Sequence, residues 1–220
     1  MATSMGSRVI CISHTDGSGG RTIGRAVADQ LDLRFVDERL IVEAARLAQV
    51  DPALITAAEH KQSLVQRLLE ALTSAQTMLG SATLGAGMPL PSMHAPGARL
   101  SSRDDLRSVI RAALRQIGKD GDAVIVAHAA SHALAGTPGV LRVLVTAPAS
   151  TRSERIARER DLPAKEAAEA TSSGDEGRKE YLREFYEIEE ELPTHYDLVI
   201  NTENLTPAQA AALIVSAARS

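Results

Sequence analysis

The sequence predicts an α/β domain, a three-layer, doubly wound parallel sheet of five strands. Three observations predict it. Five short apolar runs rich in β-branched residues recur along the chain and alternate with stretches of helical spacing. Two of them, residues 123–127 and 140–146, are apolar almost throughout, as parallel strands covered on both faces should be. A glycine-rich turn, Asp16-Gly17-Ser18-Gly19-Gly20-Arg21-Thr22, joins the first run to the first helical stretch.

Residues 8–13 read as the first strand. After the turn, Ile23, Ala26, Val27 and Leu31 fall on one helical face. Arg34 to Val36 is a second short strand, and residues 38–48 form a helix. Asp51-Pro52 starts another, with Asp51 as cap and Pro52 in the first helical position. Residues 63–79 are helical by pattern, and 80–100, rich in Gly, Pro, Ser, Ala and Met, read as a long flexible loop. Ser101 and Ser102 cap a helix that runs through Ile117. Strands follow at 123–127, 140–146 and 197–201. Helices are expected over 150–160, 164–171, 175–192 and 207–218. Strands separated by helices imply a parallel sheet.

Composition narrows the function. A chain of 220 residues suits one domain, and 44% hydrophobic residues supply a sizeable core. A net charge of −4 and a near-absence of aromatics between Val36 and Glu180 argue against nucleic acid as partner. No apolar run approaches the roughly 18 residues of a membrane span. Residues 1–7 are short and polar, carry no signal-peptide pattern and read as a disordered start. The single cysteine, Cys11, lies between Ile10 and Ile12 and reads as a buried core thiol; a lone cysteine fits a reducing cytosol, so a cytoplasmic location is expected.

The glycine turn carries the chemistry. Turn amides and a helix N-terminus together make an anion site. Glycines let the backbone approach a phosphate and adopt positive φ. The common pattern G-x-x-x-x-G-K-[ST] is not met, because there is no lysine. Either Arg21 stands in its place, with Thr22 as a hydroxyl contact for Mg²⁺, or Gly20 does and no residue does the lysine's job. A turn whose glycines serve geometry alone is the plain alternative.

The stretch from Val9 to Gly24 resembles the opening of the cytidylate kinase-like family, which carries Gly-Ser-Gly-Gly-Arg, any residue, then Ile-Gly. Phe35-Val36-Asp37-Glu38-Arg39 resembles that family's aromatic-Asp-Arg segment. Residues 124–130 resemble its strand ending in Gly-Arg-Gly-Ala, and residues 141–148 with Arg152 and Arg155 its strand and arginine helix. Asp175, Arg178 and Tyr181, followed by Phe185 and Tyr186, match its Asp-x-x-Arg-x-x-Tyr segment, and residues 196–202 its last strand. About two thirds of the chain is covered; residues 60–105 match poorly.

The resemblance implies a P-loop kinase fold with helical NMP-binding and lid segments: an insertion over 49–105 and lid-like helices over 150–192. It implies ATP and Mg²⁺ as cofactors and a small-molecule nucleotide as partner. Transfer of the ATP γ-phosphoryl group to CMP or a related acceptor needs positioning and cations around the transferring group. Gly17, Ser18, Gly19, Gly20, Arg21 and Thr22 would bind the cofactor, with Thr22 toward the metal. Arg21, Arg152, Arg155 and Arg178 would carry the catalytic positive charge, and Asp37, Arg39 and His128 would face the acceptor.

The chain departs from the family at His14-Thr15-Asp16 and at Ala127-His128-Ala129-Ala130, where an arginine is replaced. A catalytically weak or inactive nucleotide- or anion-binding regulator of the same fold is therefore the second reading, and a fold kept for protein contacts the third. Plainer roles stand beside each residue: a solvated face for Arg152 and Arg155 with Glu154 and Glu159, a helix cap for Asp37, a surface ion pair for Arg39. The run Glu187, Glu189, Glu190, Glu191 reads as a solvated helix surface. The histidines show no metal-ligand spacing. A homo-oligomer or a protein partner stays open.

Overall fold

The computed structural model describes residues 9–37, 111, 114–127 and 129–220. The chain divides into two compact units, residues 1–38 with 117–220 and residues 39–116; the first holds everything that follows. The expected disordered start, the insertion over 49–105 with its loop at 80–100, Arg39 and His128 lie outside the described residues.

Five strands form one sheet: β1 (Val9–His14), β2 (Arg34–Asp37), β3 (Ala123–Val126), β4 (Val140–Thr146) and β5 (Leu198–Asn201). Their order is β2-β3-β1-β4-β5, and every pairing is parallel. The expected doubly wound sheet is what forms. β1 lies at the centre, with Val9 beside Ala123 on one flank and Val140 on the other. A central strand must bury both faces, and none of Val9, Ile10, Cys11 and Ile12 exceeds 2% exposure.

Side chains alternate across the sheet. Ile10, Ile12, Val124, Val126, Val143 and Val145 pack in one core with helices α1 (Gly20–Leu31) and, later in the chain, Pro207–Ala218. Cys11 lies in the sheet, fully buried; burial pushes its thiol up to about 12, only partly countered by the charge of Arg142. It is the inert core thiol that its neighbours predict.

The remaining helices are α2 (Ala130–Ala133), α3 (Ala149–Arg160), α4 (Ala164–Tyr186) and α5 (Pro207–Ala218). α5 starts as its sequence demands: Thr206 Oγ1 accepts from the Gln209 amide, Gln209 Oε1 accepts from the Thr206 amide, and Pro207 opens the helix. The expected break between 171 and 175 does not exist. α4 is one helix of 23 residues that runs through Gly174 and Gly177 and ends at Tyr186. Glu187 then takes φ 57°, and the amides of Glu187 and Ile188 return to the carbonyls of Arg183 and Leu182. Those two bonds satisfy the helix end as a left-handed C-terminal cap does. The glutamate run after it is therefore not helical.

Gly24 sets how closely α1 lies on the sheet. A Cβ there would come within 2.3 Å of Val126 Cγ2 and 3.4 Å of Phe35 Cε2. Alanine gains about 1 kcal/mol in helix propensity, but forcing atoms into a filled core costs about 1–3 kcal/mol. With backbone-anchored neighbours on both sides, the overpacking wins. Gly24→Ala is expected to lower the urea unfolding midpoint; a raised midpoint would show that α1 shifts freely.

Candidate active site

β1 ends at His14 and α1 begins at Gly20, so the glycine turn occupies the end of the central strand. Ligands gather at the carboxyl ends of strands in such sheets. Gly17 has φ 78° and Gly19 φ 83°, a region where side chains are strained. At Gly17 a Cβ would also meet the Arg152 carbonyl oxygen at 2.7 Å. At Gly20 it would meet His14 Cβ at 2.3 Å. No side chain stands at position 20, so Arg21 is the cation of the turn.

Gly19 caps α1 without a side-chain hydrogen bond, and no acidic residue lies in the first helical turn. An uncapped helix start leaves amide donors and a positive dipole end. Ser18 is 1% exposed; its hydroxyl lies 2.7 Å from the Thr15 carbonyl and 3.0 Å from that of Val145, so it shapes the turn from beneath. Thr22 is exposed on the first turn of α1.

Arg21 Nε donates to Asp37 Oδ2 at 2.7 Å. Asp37 is buried at the end of β2, opposite Val126 of β3, while the Arg21 side chain is 58% exposed. Asp37 is thus an ion-pair partner of the glycine turn, not the helix cap that its position allows.

The other expected arginines converge on the turn from α3 and α4, and each is engaged. Arg152 is buried; its Nη1 and Nη2 meet Asp175 Oδ1 and Oδ2 at 2.9 and 2.6 Å, and its Nε donates to the Ala147 carbonyl. Arg155 donates through Nη2 to the Thr202 carbonyl at 2.6 Å and through Nη1 to Thr202 Oγ1 at 3.0 Å. Arg178 meets Glu191 with Nε at 2.8 Å and Nη2 at 2.5 Å. Neither Arg152 nor Arg155 lies on a merely solvated face. Arg160, from the end of α3, pairs with Asp16 at 2.7 Å.

Glu191 is the residue that sequence reading missed. It takes the fork of Arg178 and the phenol of Tyr196, and His132 Nε2 lies 3.1 Å from that phenol. Burial alone would raise the Glu191 carboxyl, but hydrogen bonds from His132, Arg178 and Tyr196, and the Arg178 charge, hold it well below the usual carboxylate range. Burial and the neighbouring carboxylate push the Tyr196 phenol above its usual value. Arg178 stays charged despite its burial, because Glu191 outweighs the loss of solvent. A cavity of about 580 Å³ opens beside these pairs, walled by Thr15, Arg152, Asp175, Arg178, Lys179 and Glu191 among others.

Among the described residues no group of three or more His, Cys, Asp or Glu is placed to hold a metal. No helix among them is long and apolar enough to cross a membrane.

A parallel sheet in this order, with a glycine turn between its central strand and α1, defines an α/β domain of the P-loop kinase type. The chain belongs to the cytidylate kinase-like family, whose model matches residues 9–204. A cytidylate kinase from Natronomonas pharaonis is 33% identical over 105 residues, 47% of this chain and 54% of that protein, so the match spans about half of the relative. An uncharacterized protein from Eubacterium ventriosum shares the fold over 96% of this chain and 98% of its own, with TM-score 0.63 and 16% identity. A shikimate kinase from Bacteroides thetaiotaomicron aligns over 94% and 96% with TM-score 0.48 and 11% identity.

Proposed function

We propose that the protein is a nucleotide-binding phosphotransferase that moves the γ-phosphoryl group of ATP to CMP or a related small acceptor. In that reaction the bond between the γ-phosphorus and its bridging oxygen breaks, and a new P–O bond forms to an acceptor phosphate oxygen, giving ADP and a nucleoside diphosphate. The observation that carries the reading is the turn: two glycines at positive φ leading into an uncapped helix start with no acidic residue. Family membership supports it.

Within this reading Gly17, Gly19 and Gly20 let the backbone approach the phosphates, and Ser18 braces the turn. Arg21 exchanges an exposed ion pair with Asp37 for phosphate oxygens, which its fork suits. A Mg²⁺ that travels with a polyphosphate takes most of its ligands from phosphate and water. One hydroxyl therefore suffices, and Thr22 supplies it; the ion would neutralise charge on the transferring group. Arg152, Arg155 and Arg178 serve the site from their present partners. Asp37, Arg39 and His128 are assigned to the acceptor side.

One observation favours a second reading, a binding protein without turnover. The turn has no lysine, and both Arg152 and Arg178 already hold a carboxylate in bidentate fashion. Calorimetric titration with ATP, ADP and CMP, with and without Mg²⁺, together with an ADP-release assay, separates the two. CMP-dependent ADP release is the expected result. Saturable binding without release selects the second reading, and no binding at all removes both.

A further inference from the structure

The geometry points to Arg152, Arg155 and Arg178 as positioning residues that set the shape of the glycine turn by taking its carbonyl oxygens. For its functional consequence this rests on the reading of the turn as a phosphate site.

The carbonyls of six successive residues, His14 to Gly19, each accept a hydrogen bond. Arg178 Nη1 donates to His14 O at 3.2 Å, Arg152 Nη1 to Asp16 O at 3.3 Å and Arg155 Nη1 to Gly17 O at 3.5 Å. Thr202 Oγ1 donates to Ser18 O at 2.9 Å. The Ser18 amide donates to Thr15 O, and the Ile23 amide to Gly19 O. Three of the six donors are guanidinium groups from α3 and α4, and Thr202 is itself held by Arg155 at 2.6 and 3.0 Å.

A glycine-rich turn has several peptide orientations within easy reach, since Gly17 and Gly19 lack the Cβ that would forbid them. Fixing the carbonyls selects one orientation. A turn whose acceptors are all engaged presents donors, and donors take anions. The arginines are themselves locked, Arg152 by Asp175 and Arg178 by Glu191, so little order is left to impose on binding. They act on phosphate through the backbone. Their loss weakens ADP and ATP alike, because both rest on the same turn; an arginine that touched the γ-phosphate would discriminate between the two.

The test uses the full chain, ¹⁵N-labelled, as wild type and as Arg155→Gln, Arg155→Lys and Thr202→Val. Amide shifts and hydrogen exchange are read at Gly17, Gly19 and Gly20, and ADP and ATP are titrated by calorimetry. Arg155→Gln and Thr202→Val are expected to move those glycine amides and speed their exchange while β3 amides stay in place. Both nucleotides should weaken by the same factor, about tenfold, the weight of one lost hydrogen bond. Arg155→Lys should recover part of both effects. Unmoved turn amides, or ATP weakened with ADP unchanged, would overturn the inference. If the wild type binds neither nucleotide, the phosphate reading fails while the amide shifts still decide whether the arginines shape the turn. If Arg155→Gln does not fold, Thr202→Val gives the same readout with the arginine intact.

Discussion

Glu191→Ala is expected to lose about 3 kcal/mol of stability, because it strips the bidentate partner from a buried guanidinium. The Arg178 side chain is 7% exposed and that of Glu191 18%, so water replaces the lost carboxylate poorly. The bond to His14 O remains and limits the cost. Urea unfolding at pH 7 measures it; a loss below about 1 kcal/mol would mean that the pair behaves as a surface ion pair. The pH dependence carries a second signature. Glu191 has a folded pKa below its unfolded value, so its contribution is complete above the ordinary glutamate pKa of about 4.3 and drains away as pH falls below it. Tyr196 is shifted the other way: its contribution is complete below about 10 and is lost as pH rises further. Glu191→Ala should therefore flatten the acid limb of the wild-type stability profile.

The largest expected effect on binding comes from Gly17→Val. Valine at φ 78° is strained, by about 1–3 kcal/mol. Its Cβ would also stand 2.7 Å from the Arg152 carbonyl, a backbone atom that cannot swing aside. The turn must reshape, and ADP affinity should fall by at least about tenfold, the equivalent of 1.4 kcal/mol. Gly19→Ala is the control. It has φ 83° but its nearest neighbour, Ile23 Cδ1, is 3.9 Å away, so only backbone strain is added. Calorimetry with ADP should rank wild type above Gly19→Ala above Gly17→Val. Equal affinities would remove the phosphate from the turn.

Much of this fold is legible in the chain because its strands are buried on both faces. Burial demands continuous apolar β-branched runs, and all five strands announce themselves that way. The turn is equally plain, since only glycine tolerates the φ values at 17 and 19. The helices of the lid-like region are harder. Ser172, Ser173, Gly174 and Gly177 read as a break, yet α4 passes straight through them. Packing overrides propensity there. The stop at Tyr186 depends on a left-handed Glu187, for which the sequence offers only Ile188 after it as an apolar mark.

Site residues show the same division. Which arginines converge was readable from their places after β4 and on α4. What they hold was not. Glu191 sits in a run with Glu187, Glu189 and Glu190, and nothing local distinguishes it. Its selection comes from Tyr196 and His132, which the sheet delivers from distant parts of the chain.

The strand order has a consequence for how the molecule is made. β1 emerges from the ribosome first among the described strands, but Val9 pairs with Ala123 and Val140, more than a hundred residues later. At roughly 5–20 residues per second, that is a wait of several seconds or more. Throughout it, an apolar central strand has no neighbour to hydrogen-bond. Nascent chains of this topology are exposed to misassociation for that interval, and a holding chaperone or slow local collapse must cover Val9 to Ile12 until their partners are synthesised.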